Sequence, residues 1–406
     1  MQVFLLSLMI SFTACQSEDP MDEGLVLHQN GYLSKRGLDV FVFNNWYNGY
    51  FSDSKMSGIE LIHHGIRTVT NGDVRLEPTP EQWDAIPEFG GRLIDTLNLN
   101  ITAKLSYPVY HFTYSIEVKP LDEGFSISVI LDDPLPAELA GKAGFNLEFL
   151  PSAYMNRTYL ADSSSGVFPV YPGGPVGSSA DGLNPLPLAQ GKRLVFAPDD
   201  PERMITVESD DLLSLYDGRN AAQNGWFVLR SLIPENKTGE VLSWKVIPET
   251  IAGWVRKPVI GHSQAGYTPG EMKRAVIERD PNDKSMKWAE LYRIDNSGKA
   301  VSVLEERPEP WGSYLRYTYF IFDFSSISRE GIYFIQYGNV KSQPFLISRD
   351  IYKHAWEPTL DQFIPVQMDH MFVNEAYRVW HGAAHLDDAR QAPPGHVHFD
   401  LFAQGP

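Results

Sequence analysis

Alternation of apolar and polar residues is the feature that most constrains the fold of this chain. Residues 112–118 (Phe-Thr-Tyr-Ser-Ile-Glu-Val) and 125–131 (Phe-Ser-Ile-Ser-Val-Ile-Leu) follow this pattern, separated by the turn Pro-Leu-Asp-Glu-Gly at 120–124. Successive side chains of a strand point to opposite faces, so the pattern predicts a hairpin with one buried face. Further short strands are predicted at 40–43, 59–62, 194–196, 204–207, 226–229 and 241–247. We therefore expect residues 25–255 to form a large N-terminal β-sandwich.

A second β region is predicted from residue 256 to residue 349. Its strands are expected at 289–294, 301–304, 317–324, 331–337 and 344–347. This length and strand number are typical of an immunoglobulin-like sandwich. Residues 163–190, which are rich in Ser, Gly and Pro, are instead predicted to be a long loop of the kind that often carries function.

Composition limits the classes of protein to consider. The chain has 406 residues, of which 34 are basic and 51 acidic, so its formal charge is −17. Such an acidic chain is not expected to bind nucleic acid, whose phosphates require a basic surface. A hydrophobic content of 43% is too high for a disordered acidic chain. Cys15 is the only cysteine, which excludes an intrachain disulfide and a multi-thiolate metal site.

The first 15 residues resemble a bacterial lipoprotein signal peptide. An apolar run over residues 2–14, too short to span a bilayer, ends in small residues before Cys15. The resemblance implies that Cys15 is lipidated, that residues 16–24 form an acidic tether, and that the protein lies at the bacterial cell surface or outer membrane. Its membrane contact would then be the lipid anchor alone. The alternative is a buried amphipathic start with a chance cysteine.

The motifs at residues 266–277 and 363–400 resemble those of family 9 glycoside hydrolases (cellulases and endoglucanases) of the Bacteroides type. Gly-Tyr-Thr-Pro at 266–269, followed by Lys-Arg-Ala-Val-Ile at 273–277, is similar to the start of that family's N-terminal immunoglobulin-like domain. The run at 363–382, with His385-Leu-Asp-Asp and His398-Phe-Asp, resembles the opening of its catalytic module. Residues 350–406 would then begin an (α/α)6 barrel, and residues 351–392 are compatible with helix. The expected fold class is mainly β: two sandwiches followed by the first helices of the barrel.

The resemblance implies hydrolysis of β-1,4-glucan with inversion, for which an Asp base activates water and a Glu acid protonates the leaving oxygen. The family's Gly-Gly-Trp-x-Asp-Ala-Gly-Asp type segment does not occur in these residues. We therefore expect no catalytic residue in this chain, which would be the N-terminal part of an endoglucanase with an incomplete barrel. Its expected partner is cellulose or mixed-linkage glucan. The alternative is a non-catalytic, surface glycan-binding lipoprotein.

Candidate site residues fall near the end of the chain. Trp380, His381, Asp387 and Asp388 are predicted to bind substrate, on the strength of the resemblance. Asp387 and Asp388 are adjacent, so on a helix they point about 100° apart and are poorly placed as a catalytic pair.

No cofactor is required by the resemblance, although a structural metal such as zinc or calcium is a candidate. Some family members hold zinc there through two Cys and two His, and Asp369 and Ala384 occupy the cysteine positions here. Loss of two thiolates weakens a zinc site. A site built from Asp369, His385, His396 and His398 stays a candidate, and packed or substrate-facing histidines are the alternative.

Aromatic side chains bind sugars because pyranose faces present apolar C–H groups that stack on rings. Trp46, Tyr47, Tyr50 and Phe51 cluster within six residues and are a candidate glycan-binding loop, with a sandwich edge or core cluster as the alternative. A second group, Trp311, Tyr314, Tyr317 and Tyr319, is expected to pack in a core or hairpin.

Overall fold

The structure is a computed structural model that describes residues 24–48, 54–80, 84–179, 182–220, 225–361, 372–374 and 378–380. The chain divides into two compact units, Met1–Trp254 and Val255–Pro406, here called the N-terminal and C-terminal units. Strands dominate both units in the described part of the chain, which confirms the prediction of a mainly β protein.

Twenty strands lie in the described residues of the N-terminal unit. They are β1 (Val26–Leu27), β2 (Leu33–Lys35), β3 (Leu38–Val42), β4 (Trp46–Asn48), β5 (Ser54–Met56), β6 (Ile59–His63), β7 (Ile66–Arg75), β8 (Glu88–Asp95), β9 (Asn100–Tyr107), β10 (Phe112–Pro120), β11 (Phe125–Leu131), β12 (Gly144–Phe149), β13 (Thr158–Ala161), β14 (Ser164–Val167), β15 (Val176–Ser179), β16 (Gly182–Pro185), β17 (Ala189–Phe196), β18 (Ile205–Asp217), β19 (Phe227–Leu232) and β20 (Gly239–Pro248). A short helix, α1, spans Pro151–Tyr154, and 3₁₀ turns occur at Pro108–Tyr110, Ala137–Leu139 and Gly218–Asn220.

Sixteen of these strands form one curled antiparallel sheet around a single apolar core. The main path runs β1-β2-β3-β6-β7-β12-β19-β18-β20-β11-β10-β9-β8, and β17 joins at β18. Residues from distant strands, such as Leu61 on β6, Ile116 on β10 and Leu229 on β19, belong to the same buried cluster. The curl thus lets one sheet close its own apolar face, which a flat sheet could not do.

The alternating residues at 112–131 form the expected hairpin. β10 pairs antiparallel with β11, with Ser115 opposite Ile130 and Pro120 opposite Phe125. Its apolar side chains Ile116, Val118 and Ile127 are buried. The predicted loop at 163–190, by contrast, contains β14, β15 and β16, because Ser- and Gly-rich residues pair locally as two short hairpins.

The described part of the C-terminal unit consists mainly of two antiparallel sheets. One has the order β21 (Val259–Gly261), β22 (Arg274–Arg279), β26 (Tyr317–Asp323), β25 (Glu309–Tyr314). The other contains β24 (Ala300–Glu306), β23 (Ala289–Ile294), β27 (Gly331–Tyr337), β28 (Val340–Lys341) and β29 (Phe345–Ile347). Ala275 and Ile277 from the first sheet share a buried cluster with Leu291 and Ile335 from the second. The two sheets therefore pack face to face around a small core.

Within its described residues (350–361, 372–374 and 378–380), the region expected to begin an α-barrel contains one short helix and two short strands. A short helix, α2, spans Glu357–Asp361, and β30 (Phe372–Asn374) pairs with β31 (Arg378–Trp380). The strands replace helix at 372–374 and 378–380, where aromatic and β-branched residues favour extended backbone. No helix within the described residues is long and apolar enough to cross a membrane.

Candidate functional site

The Gly-Tyr-Thr-Pro motif fixes the start of the C-terminal unit. Tyr267 is buried, and its ring meets Phe324 and Phe345 edge-on at centroid distances of 5.2 and 5.4 Å. Its hydroxyl accepts a hydrogen bond from the Ser263 amide at 2.9 Å and donates one to the Arg274 carbonyl at 3.0 Å. The tyrosine therefore joins the motif to β22 and fills the core at the same time.

Lys273, which opens the second part of the motif, is completely buried. Its ammonium donates hydrogen bonds to the carbonyls of Pro269 and Glu271, each at 2.9 Å, and lies 3.4 Å from the Thr268 carbonyl. A buried ammonium is stable only when such acceptors surround it. Tyr267 and Lys273 thus brace the motif from the interior of the unit.

An exposed aromatic surface lies on the neighbouring strands of the same unit. We call it the aromatic face and define it by Trp311, Tyr314, Tyr317 and Tyr319 on β25 and β26. Tyr314 is directly opposite Tyr317, and a bulge between Pro310 and Gly312 places Trp311 beside Tyr319. On β26, Phe322 is buried in the core and Phe320 packs against the core. Alternation along β26 therefore turns its tyrosines away from the core.

Two of these rings are available to a ligand. Trp311 is 65% exposed and Tyr314 is 61% exposed. The four rings were expected in a core or hairpin, and β25 and β26 do form a hairpin, on which Trp311 and Tyr314 are exposed and not part of the core. Both lie on β25, a strand at the edge of its sheet whose residues are all exposed, so none of the residues that the structure describes forms a second layer over them. The sequence Pro-Glu-Pro-Trp-Gly at 308–312 could have indicated this exposed edge strand, since Pro and Gly are typical of edge strands and bulges.

The other two rings are fixed by polar contacts. The Tyr319 hydroxyl donates to Glu278 Oε2 at 3.1 Å, and Arg256 Nη1 donates to Glu278 Oε1 at 2.6 Å. The Arg256 guanidinium also lies 4.4 Å from the centroid of the Tyr317 ring. Loss of solvent raises the pKa of Tyr319, and the hydrogen bond to Glu278 raises it further, so the phenol stays protonated as a donor. These contacts hold the aromatic face rigid beneath Trp311.

The chemistry of this surface suits carbohydrate. Exposed rings offer flat apolar area for the C–H faces of a pyranose, and Glu278 and Arg256 lie at the base of the face with acceptor and donor groups. An exposed site on an edge strand can follow an extended polymer more easily than a closed pocket can. The aromatic face is therefore the candidate glycan-binding surface.

The N-terminal aromatic loop predicted from the sequence is only partly described. Trp46 and Tyr47 lie on β4, and Trp46 is 62% exposed. The Tyr47 hydroxyl lies 3.2 Å from Glu60 Oε1 and accepts a hydrogen bond from Arg67 Nη1 at 2.8 Å. Tyr50 and Phe51 are outside the described residues. Trp46 is thus a further exposed ring, whereas Tyr47 is held by an ion pair between Glu60 and Arg67.

Most residues predicted near the chain end lie outside the described part of the structure. Trp380 ends β31, opposite Phe372. The remaining predicted site residues are in segments that the structure does not describe: Cys15, Asp369, His381, His385, Asp387, Asp388, His396 and His398. Their lipidation, substrate and metal roles stay predictions. Over the described residues, no group of His, Cys, Asp and Glu side chains is arranged to hold a metal ion.

No protein-family model matches this sequence, and no curated protein matches it. Solved structures that match in part are a metagenome-derived glycoside hydrolase family 9 endoglucanase (21% identity, 31% of this chain, TM-score 0.26), a family 9 glycoside hydrolase of Bacteroides ovatus (20%, 33%, 0.25) and the family 9 endoglucanase J30 (20%, 32%, 0.25). The chain spans about a quarter of their length, with coverages of 24%, 25% and 24%. Similarity at this level determines neither the overall fold nor the activity of this chain.

Proposed function

We propose that this chain forms the N-terminal, non-catalytic β modules of a family 9 glycoside hydrolase, and that its C-terminal unit holds the enzyme on β-glucan. The aromatic face carries the proposal, because Trp311 and Tyr314 are exposed on a surface braced by Glu278 and Arg256. The resemblance of residues 266–277 and 363–400 to family 9 supports the choice of β-1,4-glucan over other polymers.

Glucan binding is tested by affinity electrophoresis of the 406-residue chain in gels with and without hydroxyethyl cellulose or barley β-glucan. We expect retardation of the unaltered chain and its loss in Trp311→Ala. Trp288→Ala is the matched control, since Trp288 is a half-exposed ring of the same unit outside the aromatic face. Trp46→Ala distinguishes the two candidate surfaces. If retardation is lost in Trp46→Ala and kept in Trp311→Ala, the glucan site lies at β4 and not at the aromatic face.

Catalysis is tested separately, with a reducing-sugar assay on the same substrates. We expect no product from the 406-residue chain, because the family's Asp base and Glu acid are not among its residues. Measurable turnover would contradict this. Sequencing of the gene 3′ of codon 406 tests the family assignment, which predicts an Asp-Ala-Gly-Asp type segment there.

A second candidate is a surface lipoprotein that binds glycan without any attached catalytic module. The aromatic face serves this function equally well, so the gene sequence is what separates the two. Lipidation of Cys15 is common to both proposals. It predicts incorporation of a radiolabelled fatty acid into the full chain in its host and none into Cys15→Ser.

A further inference from the structure

The N-terminal unit has a cleft of its own, separate from the aromatic face. Its volume is about 320 Å³, which lies at the lower end of the range for small-molecule sites. The floor is formed by the strands β17, β18 and β19, and two loops form the walls. The wall loops are residues 76–78, after β7, and residues 141–142, before β12.

A row of polar residues crosses the strands beneath this cleft. Gln190 on β17 is opposite Ser214 on β18, Ser214 is opposite Arg230 on β19, and Arg230 is opposite Asn146 on β12. Gln190 Nε2 donates to Ser214 Oγ at 2.8 Å. Cross-strand neighbours on one face of a sheet stand side by side, so the row forms a continuous polar floor.

Arg230 braces both walls against this floor. Only 3% of the residue is exposed, and its Nη1 donates to the Glu77 carbonyl at 2.8 Å and to Asn146 Oδ1 at 2.6 Å. Its Nη2 donates to the carbonyls of Lys142 and Arg75. The guanidinium therefore ties each wall loop to β19 before any ligand arrives, which is how a binding site is preorganised.

Gly144 makes this brace sterically feasible. A Cβ at this position would come within 2.6 Å of the Ser231 carbonyl and 2.9 Å of Arg230 Cζ. Glycine alone therefore lets the guanidinium pass close to β12 and reach the Lys142 carbonyl.

The charges of the lining balance. Lys142 and Arg230 contribute two positive groups, and Glu77 and Asp211 contribute two carboxyl groups. Burial lowers the pKa of Arg230 to about 10, so it remains charged at neutral pH. The pKa of Glu77 is raised, first because its carboxyl loses solvent and second because the negative charge of Asp84 is near. The residue as a whole is nevertheless exposed. A cleft with no excess charge favours neither an anion nor a cation.

The rest of the lining is apolar. Leu212 and Leu232 are half-exposed beside the polar floor, on adjacent strands, and Leu76 and Pro78 belong to the opposite wall. Apolar walls with donors and acceptors of both kinds between them match a pyranose, which has C–H faces and a rim of hydroxyl groups. We propose that this cleft binds one neutral hexose or pentose unit of a saccharide.

The test is saturation-transfer-difference NMR of the 406-residue chain with the methyl pyranosides of glucose, galactose, mannose and xylose, and with methyl glucuronide. At least one neutral glycoside is expected to show saturation transfer. Gln190→Ala and Asp211→Asn should each weaken its binding roughly fivefold to tenfold, the loss of about one hydrogen bond. Gln336→Ala, in the C-terminal unit, is the matched control and should leave binding unchanged.

Three outcomes would overturn the proposal: no neutral glycoside bound, binding unaffected by both cleft variants, or methyl glucuronide bound alone, which would identify a site for anions. Trp311→Ala should not alter binding at the cleft. If the chain binds a glycoside at the cleft but is not retarded by glucan, only the glucan-binding proposal fails. If it is retarded by glucan but binds no glycoside at the cleft, only the present proposal fails.

Discussion

The two units differ in where they keep their polar and aromatic side chains. The N-terminal unit buries charged residues on the polar face of its sheet, among them Asp73, Arg75, Glu148 and Arg230. Among the described residues of the C-terminal unit, the buried charged side chains are Lys273, Arg279 and Asp280, and two large aromatic rings are exposed on one edge strand. We infer that the first unit combines a large apolar core with a buried polar framework, whereas the second has a small apolar core and an exposed aromatic face.

Arg230→Leu should have the largest effect on this comparison. The change leaves three carbonyls and the Asn146 side chain without their donor, and a buried unsatisfied group costs about 1–3 kcal/mol. We therefore expect the free energy of unfolding of the N-terminal unit to fall by about 4 kcal/mol in urea. Arg193→Leu removes an exposed pair with Glu208 and should cost at most about 0.5 kcal/mol. Equal losses of unfolding free energy in the two variants would show that Arg230 does not stabilise the buried polar framework.

Lys273→Met should have the next largest effect, and only in the C-terminal unit. It leaves the carbonyls of Pro269 and Glu271 without their buried donor, for an expected loss of about 3 kcal/mol. Hydrogen exchange read by mass spectrometry distinguishes the units, since faster exchange should be confined to strands β21–β29. Lys299→Met, at an exposed position, is the control. Equal acceleration in the N-terminal strands would show that the two units do not unfold separately.

Acid should destabilise the N-terminal unit before the C-terminal unit. Burial lowers the pKa of His63 to about 3, and the ring also faces His64, Arg203 and Lys35, with its Nε2 against the Glu249 carbonyl. The unfolded state therefore binds more protons below about pH 6.5, so stability is complete above that pH and falls as pH decreases toward 3.

The expected loss between pH 6.5 and 5 is about 2 kcal/mol, measured by urea denaturation at each pH. His63→Gln should flatten this dependence. In the C-terminal unit the described histidines, His262 and His354, are not buried. A pH profile unchanged in His63→Gln would contradict the assignment to this ring.

Trp311→Ala should have the smallest effect on stability. The ring is mostly exposed, so the free energy of unfolding should change by less than about 0.5 kcal/mol. Tyr333→Ala, an aromatic truncation in the core of the same unit, should cost about 3–5 kcal/mol. Urea denaturation of the two variants tests whether the aromatic face is separate from the folding core. A large loss of unfolding free energy in Trp311→Ala would show that this ring contributes to the folding core.

Strand positions could be read from the sequence where one face of the strand is buried. The predictions at 289–294 and 331–337 coincide with β23 and β27, and 241–247 lies within β20. Strand β7 (Ile66–Arg75) was not predicted, because nearly all its residues are buried and polar residues such as Thr70, Asn71 and Asp73 break the alternation. Polar residues that are buried against other polar residues leave no period-two signal.

The candidate sites were harder to predict than the strands. The aromatic face depends on a bulge and on which strand of a sheet lies at its edge, and both are properties of the assembled sheet. The cleft depends on Gln190, Ser214 and Arg230, which are separated along the sequence and meet only through strand register. A single sequence does not encode that register in any short motif.

The polar row beneath the cleft also has a consequence for how the sheet assembles. Arg230 is flanked on β19 by Leu229, whose side chain belongs to the apolar core. A slip of β19 by one residue would exchange these two side chains between the faces of the sheet. An unpaired guanidinium would then enter the hydrophobic interior, which is among the most costly errors that a folding chain can make. The polar row beneath the cleft therefore also disfavours misaligned pairings of the central strands.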